Sequence, residues 1–251
     1  MKKNQSKLQV SLILPCYNEF EHIADSLKKI SSYLTMVLPA GFFEIILIDD
    51  GSVDGTRNFL KKLEPSDQYR IEFNEANLGR GGAVKRGLEL ASGEITGFMD
   101  IDREVSEVYL PAFIKRIQEG ADLVLGSRTY NWTMNPFSLS RHIASVGYRK
   151  LTKLPLSSPV HDSEVGYKFF SKRARDAILK TSHFNNWFWD SECVQIALLN
   201  GFKISEVPVL FIRNPKKTST VNLFPDILQY LKAIAQFKKL KASGVYNLEK
   251  R

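Results

Sequence analysis

Asp100-Ile101-Asp102 stands at the end of a short apolar run formed by Ile95, Gly97, Phe98 and Met99. Side chains at i and i+2 of an extended chain share a face, so both carboxylates turn toward one point if the chain leaves a sheet there. Carboxylate oxygens are hard ligands that suit Mg²⁺ or Mn²⁺, ions that complete their shells with water and substrate phosphates. On its own the pair also reads as a solvated Asp-x-Asp turn, and its neighbours must decide. Three other stretches carry residues able to do chemistry: Pro15-Cys16-Tyr17-Asn18-Glu19, Asp49-Asp50-Gly51-Ser52-Val53-Asp54-Gly55-Thr56, and Asn77-Leu78-Gly79-Arg80-Gly81-Gly82-Ala83. The last puts glycine amides at a helix start with Arg80 and Lys85 beside them, which suits a phosphate or simply makes a tight turn. It lacks the third glycine of a dinucleotide fingerprint and does not follow the first strand, which argues against a dehydrogenase.

The elements that must position these stretches alternate. Val10 to Leu14 is an apolar run ended by Pro15, as in a buried parallel strand feeding a loop. Ile23, Leu27, Ile30 and Leu34 recur at helical spacing and predict an amphipathic helix as far as about Val37. Strands are expected at Phe43 to Ile48, at Tyr69 to Phe73 and up to Asp100, with a helix carrying Val84, Leu88 and Leu90 between the last two. Alternating strands and helices predict an α/β fold with a mostly parallel central sheet. Ligands of such sheets bind at the carboxyl ends of the strands, where all four stretches fall.

The 251 residues, 43% of them hydrophobic, suffice for a sizeable core and exclude a disordered chain. A formal charge of +8 points to an anionic partner: nucleic acid, an anionic membrane surface or a phosphorylated substrate. Two cysteines, Cys16 and Cys193, imply neither a disulfide framework nor a zinc site. Leu8 to Leu14 is too short for a signal peptide, and no apolar run approaches the roughly 18 residues of a spanning helix. The expectation is a cytoplasmic protein, soluble or lying on a membrane. No helix-turn-helix, zinc or base-stacking motif supports nucleic-acid binding.

In order and spacing, the four motifs resemble those of family-2 glycosyltransferases with the GT-A (Rossmann-like) fold. Within that family the chain is most similar to polyprenyl-phosphate glycosyltransferases, the dolichyl-phosphate β-glucosyltransferases in particular. Leu125-Gly126-Ser127-Arg128, His161 to Lys168 and Trp187 to Glu192 resemble segments of the dolichyl-phosphate mannose and glucose synthases. The resemblance implies that Pro15, Tyr17 and Glu19 bracket base and ribose and that Asp50 reads the base. Gly79 and Lys85 would serve the nucleotide phosphates, and Asp100 and Asp102 would hold Mg²⁺ or Mn²⁺ against the donor diphosphate. Glu104 stands where these synthases commonly have glutamine, which leaves the shell beyond the two aspartates open.

The second half is expected to choose the acceptor. Basic and aromatic residues interleave between Arg128 and Pro159, a mixture that suits a lipid phosphate at an interface. By resemblance Arg128 and Arg141 grip the acceptor phosphate, a task for a planar fork donating two hydrogen bonds. Asp162 matches an acid near the donor sugar, and Arg213 and Ser219 lie in a loop similar to one that closes over donor and acceptor. Asp190 orients the sugar or a cation if the acceptor is a phosphate. With a hydroxyl acceptor, Asp190 or Glu192 would be the general base. Leu223, Ile227, Leu231, Ile234 and Phe237 predict a C-terminal amphipathic helix. The expected organisation is a catalytic domain over 1–220, its nucleotide half 1–102 and acceptor half 103–220, then a helix and basic tail over 221–251. The expected activity is inverting transfer of a hexose from UDP-glucose or GDP-mannose to a polyprenyl phosphate, with peripheral contact at the cytoplasmic face of a membrane.

Overall fold

A computed structural model of the chain describes residues 9–64, 68–130, 156, 158–212 and 223–248. The first half is a run of parallel strand and helix units. β1 (Val10–Cys16), β2 (Phe43–Asp49) and β4 (Ile95–Met99) are buried almost throughout, which is why their sequences are continuous apolar runs rather than alternating ones. Between them lie α1 (Ile23–Val37), α2 (Thr56–Lys61), β3 (Tyr69–Phe73) and α3 (Arg80–Leu90). Helix α1 buries Ile23, Leu27, Ile30 and Leu34, the stripe expected from their spacing, and ends at Val37.

The second half adds α4 (Leu110–Gln118), β5 (Leu123–Tyr130), β6 (Tyr167–Ser171), α5 (Lys172–Thr181), α6 (Phe188–Leu199), β7 (Ile204–Phe211) and α7 (Leu223–Ala242). Among the described residues, seven strands form one sheet in the order β3-β2-β1-β4-β6-β5-β7. Pairing is parallel except at β6, which runs antiparallel to both β4 and β5. Strand β6 pairs Tyr167 with Met99 and Ser171 with Ile95, so its first residues stand beside the end of β4. This brings the loop 160–166 to the edge where Asp100 leaves the sheet.

Helix α6 is buried at every position from Phe188 to Ala197 and forms the core of the second half. Against it packs α7, whose Tyr230, Ala233, Ile234 and Phe237 are buried while Leu228 and Leu231 remain exposed. Phe188 meets the rings of Tyr230 and Phe237 at 5.2 and 5.8 Å, and Tyr246 beyond the helix meets Phe237 in a tilted pair at 5.1 Å. These C-terminal residues belong to the same apolar cluster as β1 and β4. Among the described residues no helix is long and apolar enough to cross a membrane.

Candidate functional site

The loops leaving β1 and β2 are tied to one another. Asn18, held at φ 56°, donates its amide to Ser52 Oγ and accepts from Val53 N through its side chain, at 3.0 and 2.9 Å. Glu19 N donates to Thr56 Oγ1, Phe20 N to Asp54 Oδ2 and Asp50 N to Cys16 O. The result is a stiff wall on which Pro15 ends the strand, Tyr17 is exposed and Glu19 is half-buried. Asp50 is buried, and its carboxylate accepts from Asn74 Nδ2, Leu78 N and Gly79 N at 2.8 to 3.0 Å. Two amides of the glycine loop are therefore spent on Asp50.

The glycines of that loop allow close packing. A Cβ on Gly79 would lie 2.8 Å from Asn185 O, and one on Gly81 would lie 2.5 Å from Trp189 Cβ. Gly82 N donates to Asn185 O, and Gly79 itself sits at φ 84°. Helix α3 thus begins against the segment leading into α6, and the glycines permit that close approach. Lys85 turns the same way: Glu192, Cys193 and Glu89 are the titratable groups around it, and burial pushes its pKa below the usual lysine value.

Arg80 behaves differently. Its guanidinium lies 5.1 Å from the Trp187 ring and 5.6 Å from the Phe98 ring. Nη2 stands 3.1 Å from Asp100 Oδ1, and Nε stands 3.6 Å from Asp190 Oδ2. The side chain is only 9% exposed, yet neither Nε nor Nη2 has a hydrogen-bond partner. Burial opposes its charge, but Asp100 and Asp190 outweigh burial and hold its pKa above the ordinary value. Asp190, 1% exposed, gives its other oxygen to Lys168 Nζ at 2.5 Å, and Lys168 is itself fully buried.

The Asp100 side chain is 41% exposed beyond β4, and its amide donates to Gly166 O. A Cβ on Gly166 would stand 1.8 Å from Asp100 Oδ2, so glycine is what lets the loop pass the carboxylate. The chain then turns through Asp102, whose Oδ1 accepts from Glu104 N at 3.2 Å, and Arg103 at φ 56°. Two carboxylates on one turn are hard donors at a strand end, and the donor set fits a divalent cation that takes its remaining oxygens from water and a diphosphate. Among the described residues no third carboxylate or imidazole joins them as a ligand group, Glu104 included.

Farther along the chain, Arg128 and Asp162 form a two-bond fork, Nε to Oδ2 at 2.5 Å and Nη2 to Oδ1 at 2.8 Å. Arg128 is thus already engaged by a carboxylate, with the Phe211 ring 5.5 Å from its guanidinium. Beside this fork Glu164 keeps one buried oxygen without a hydrogen bond, and burial raises its pKa against the influence of Tyr230 and Arg128. Arg141, Arg213 and Ser219 lie outside the described residues. Neither Asp190 nor Glu192 caps α6, since the cap position is Trp187. Glu192 accepts from His183 N, Phe184 N and Tyr246 OH, which ties α6 to the preceding loop and to the chain's last turn.

Burial raises the Glu192 pKa above 4.5 despite these donors. The folded chain therefore holds a proton that the unfolded chain has released, and this contribution is lost as pH rises through the raised value. Replacing Glu192 by Gln sets an NH₂ against an amide donor and is expected to cost about 1–3 kcal/mol. Denaturant unfolding should show that gap narrowing as pH rises from 4.5 upward.

Spacing alone did not single out Lys168 as part of the site. Its signal in the sequence is a lone cation within the apolar run Val165 to Phe170, in a strand buried on both faces.

A mostly parallel seven-stranded sheet with an acidic pair at its carboxyl edge and a stiffened wall from the first two loops defines a GT-A-type glycosyltransferase fold. The chain belongs to glycosyl transferase family 2, whose profile matches residues 11–179. It is 33% identical over 223 residues to glycosyltransferase AglD of Haloferax volcanii, covering 88% of this chain and 35% of that protein. To the dolichyl-phosphate beta-glucosyltransferase ALG5A of Trichomonas vaginalis it is 29% identical, covering 81% of this chain and 66% of that one. The dolichyl-phosphate beta-glucosyltransferase of Dictyostelium discoideum shares 27% over 96% of this chain and 77% of its own. The chain therefore spans about a third of the Haloferax protein and about two thirds of the Trichomonas one. Among solved structures, the glucosyl-3-phosphoglycerate synthase of Mycobacterium tuberculosis with UDP superposes with a TM-score of 0.66 at 19% identity, covering 92% of this chain and 80% of that one. A second structure of that enzyme, with Mg²⁺ and UDP, gives 0.64 at 17% identity, covering 92% of this chain and 80% of its own.

Proposed function

We propose that the chain transfers a hexose with inversion from a nucleotide sugar to a polyprenyl phosphate at the cytoplasmic face of a membrane, with UDP-glucose the first donor to test and GDP-mannose the second. Similarity to two proteins named as dolichyl-phosphate beta-glucosyltransferases supports the donor and acceptor classes. The observation that carries the choice of acceptor is the state of the two acids a hydroxyl acceptor would need. Asp190 is buried against Lys168 and Arg80, and Glu192 is buried against two amides and a tyrosine hydroxyl. A hydroxyl must lose its proton as it attacks, whereas a phosphate monoester is already anionic near neutral pH and needs no base.

In this reading the wall of Pro15, Tyr17, Glu19 and Asp50 seats the nucleoside. Asp100 and Asp102 would hold Mg²⁺ or Mn²⁺, which when bound supplies charge stabilisation to the departing diphosphate. Arg80, held between two rings beside Asp100, would supply positive charge to the same phosphates. An oxygen of the acceptor phosphate bonds to the anomeric carbon as the bond to the diphosphate oxygen breaks, and the nucleoside diphosphate leaves with that electron pair. Arg128, oriented by its pairing with Asp162, would meet the acceptor phosphate, with Arg141 as a second cation. Asp162 and Asp190 keep Arg128 and Arg80 in place, and Arg213 and Ser219 close the site.

Purified protein incubated with radiolabelled UDP-glucose or GDP-mannose, short polyprenyl phosphates and Mn²⁺ is expected to yield organic-extractable label from one donor. No such label from either donor overturns the proposal. Label appearing instead on a glycan hydroxyl, lost in Asp190→Asn, selects the hydroxyl reading.

A further inference from the structure

Lys168 is a lysine in the middle of a central strand, wholly removed from solvent. An ammonium in that position persists only if it is paired and hydrogen-bonded. Its Nζ donates to Val165 O at 2.6 Å and to Asp190 Oδ1 at 2.5 Å, and it lies 5.6 Å from the Phe98 ring. The same ring faces Arg80 at 5.6 Å, so both cations pack against one aromatic and share one carboxylate. Lysine takes the short contact and leaves Arg80 Nε only 3.6 Å from the second oxygen. Arg80 is therefore attracted to Asp190 without being captured in a fork, and its Nη2 reaches the exposed Asp100.

We infer that Lys168 is a positioning residue for donor binding: by occupying Asp190 it sets how far the Arg80 guanidinium extends toward the donor diphosphate. This rests on the reading of the edge as a nucleotide-sugar site. Formal charges in the cluster cancel in pairs, Lys168 with Asp190 and Arg80 with Asp100. The enclosed Nε and Nη2 make no hydrogen bond, so turning the guanidinium toward an incoming diphosphate breaks none there and only draws Nη2 from its ion pair with Asp100. Without Lys168, both oxygens of Asp190 become available to Arg80, and a two-bond fork is the stronger arrangement. Arg80 then withdraws from the edge toward α6. Without either partner, Arg80 loses the anchor at Nε and keeps only Asp100 and the two rings.

Isothermal titration of UDP and of GDP, each with Mg²⁺, into the full chain tests this, and neither probe carries a sugar that Asp190 might touch. Lys168→Met is expected to weaken binding of the nucleoside diphosphate that the wild type takes by roughly 10- to 100-fold, as loss of a supporting partner does at a preorganised site. Because that variant leaves Asp190 buried without its lysine, the informative protein is Lys168→Met with Asp190→Leu, which removes both charges. It should recover the wild-type unfolding midpoint while its diphosphate binding stays weak and the donor KM rises more than kcat falls. A double variant that is stable and binds as the wild type does makes the lysine a structural partner only and overturns the inference. Wild-type protein that binds neither UDP nor GDP overturns the nucleotide-sugar reading itself, and this inference with it.

Discussion

Asp102→Ala is expected to lower hexose transfer by roughly 10²–10³-fold while the chain stays folded. Asp102 lies beyond the last residue of β4, on the turn that carries the chain away from the sheet, and is only partly buried. It accepts the amide of Glu104 at 3.2 Å, a bond within that turn, so its loss disturbs the turn more than the core. Removing this carboxylate would deprive the diphosphate of half the acidic pair proposed to anchor it. Turnover measured beside circular dichroism and thermal unfolding separates the two effects. Full activity in a folded variant would remove Asp102 from the site.

Gly166→Ala is expected to be comparably damaging although it adds only one methyl group and removes no proposed ligand. The added Cβ would lie 1.8 Å from Asp100 Oδ2 and 2.4 Å from Arg80 Nη2, well inside any tolerable contact. Either the loop or the Asp100–Arg80 pair must move by more than 1 Å. Displacements of that order at a reacting centre cost about 10²-fold in rate. The position has no left-handed backbone requirement, so the penalty comes from crowding at the site and not from strain in φ. UDP titration together with transfer assays should show weakened donor binding, with the unfolding midpoint little changed. Wild-type binding and turnover would mean that the Asp100–Arg80 pairing has no part in the working arrangement.

How far each feature was legible depends on the range of its cause. The runs Val10 to Leu14 and Phe43 to Ile48 announced buried parallel strands because burial on both faces demands continuous apolar sequence. The stripe Ile23, Leu27, Ile30 and Leu34 announced α1 to its last residue, since helical period is a local property. Strand direction is not local: side chains alternate alike whichever way a strand runs, so nothing in Tyr167 to Ser171 revealed that β6 enters antiparallel between β4 and β5. The glycine loop showed the complementary limit. Its spacing suits a phosphate cradle or a packed helix start equally, and the approach of Asn185 and Trp189, with Asp50 on two of the amides, is a packing that no local pattern announces.

What the sequence by itself determined is the frame and its acidic edge: an α/β chain of family 2, with Asp50, Asp100 and Asp102 at strand ends, where the switch from apolar run to polar loop must fall. Tertiary structure alone decided which charges meet. Arg128 closes on Asp162 across 34 residues, and Lys168 on Asp190 across 22. Arg80 reaches both Asp100 and Asp190 from the start of a different helix. Such pairings arise because a buried charge must find a partner wherever the fold brings one, and sequence separation does not limit that choice.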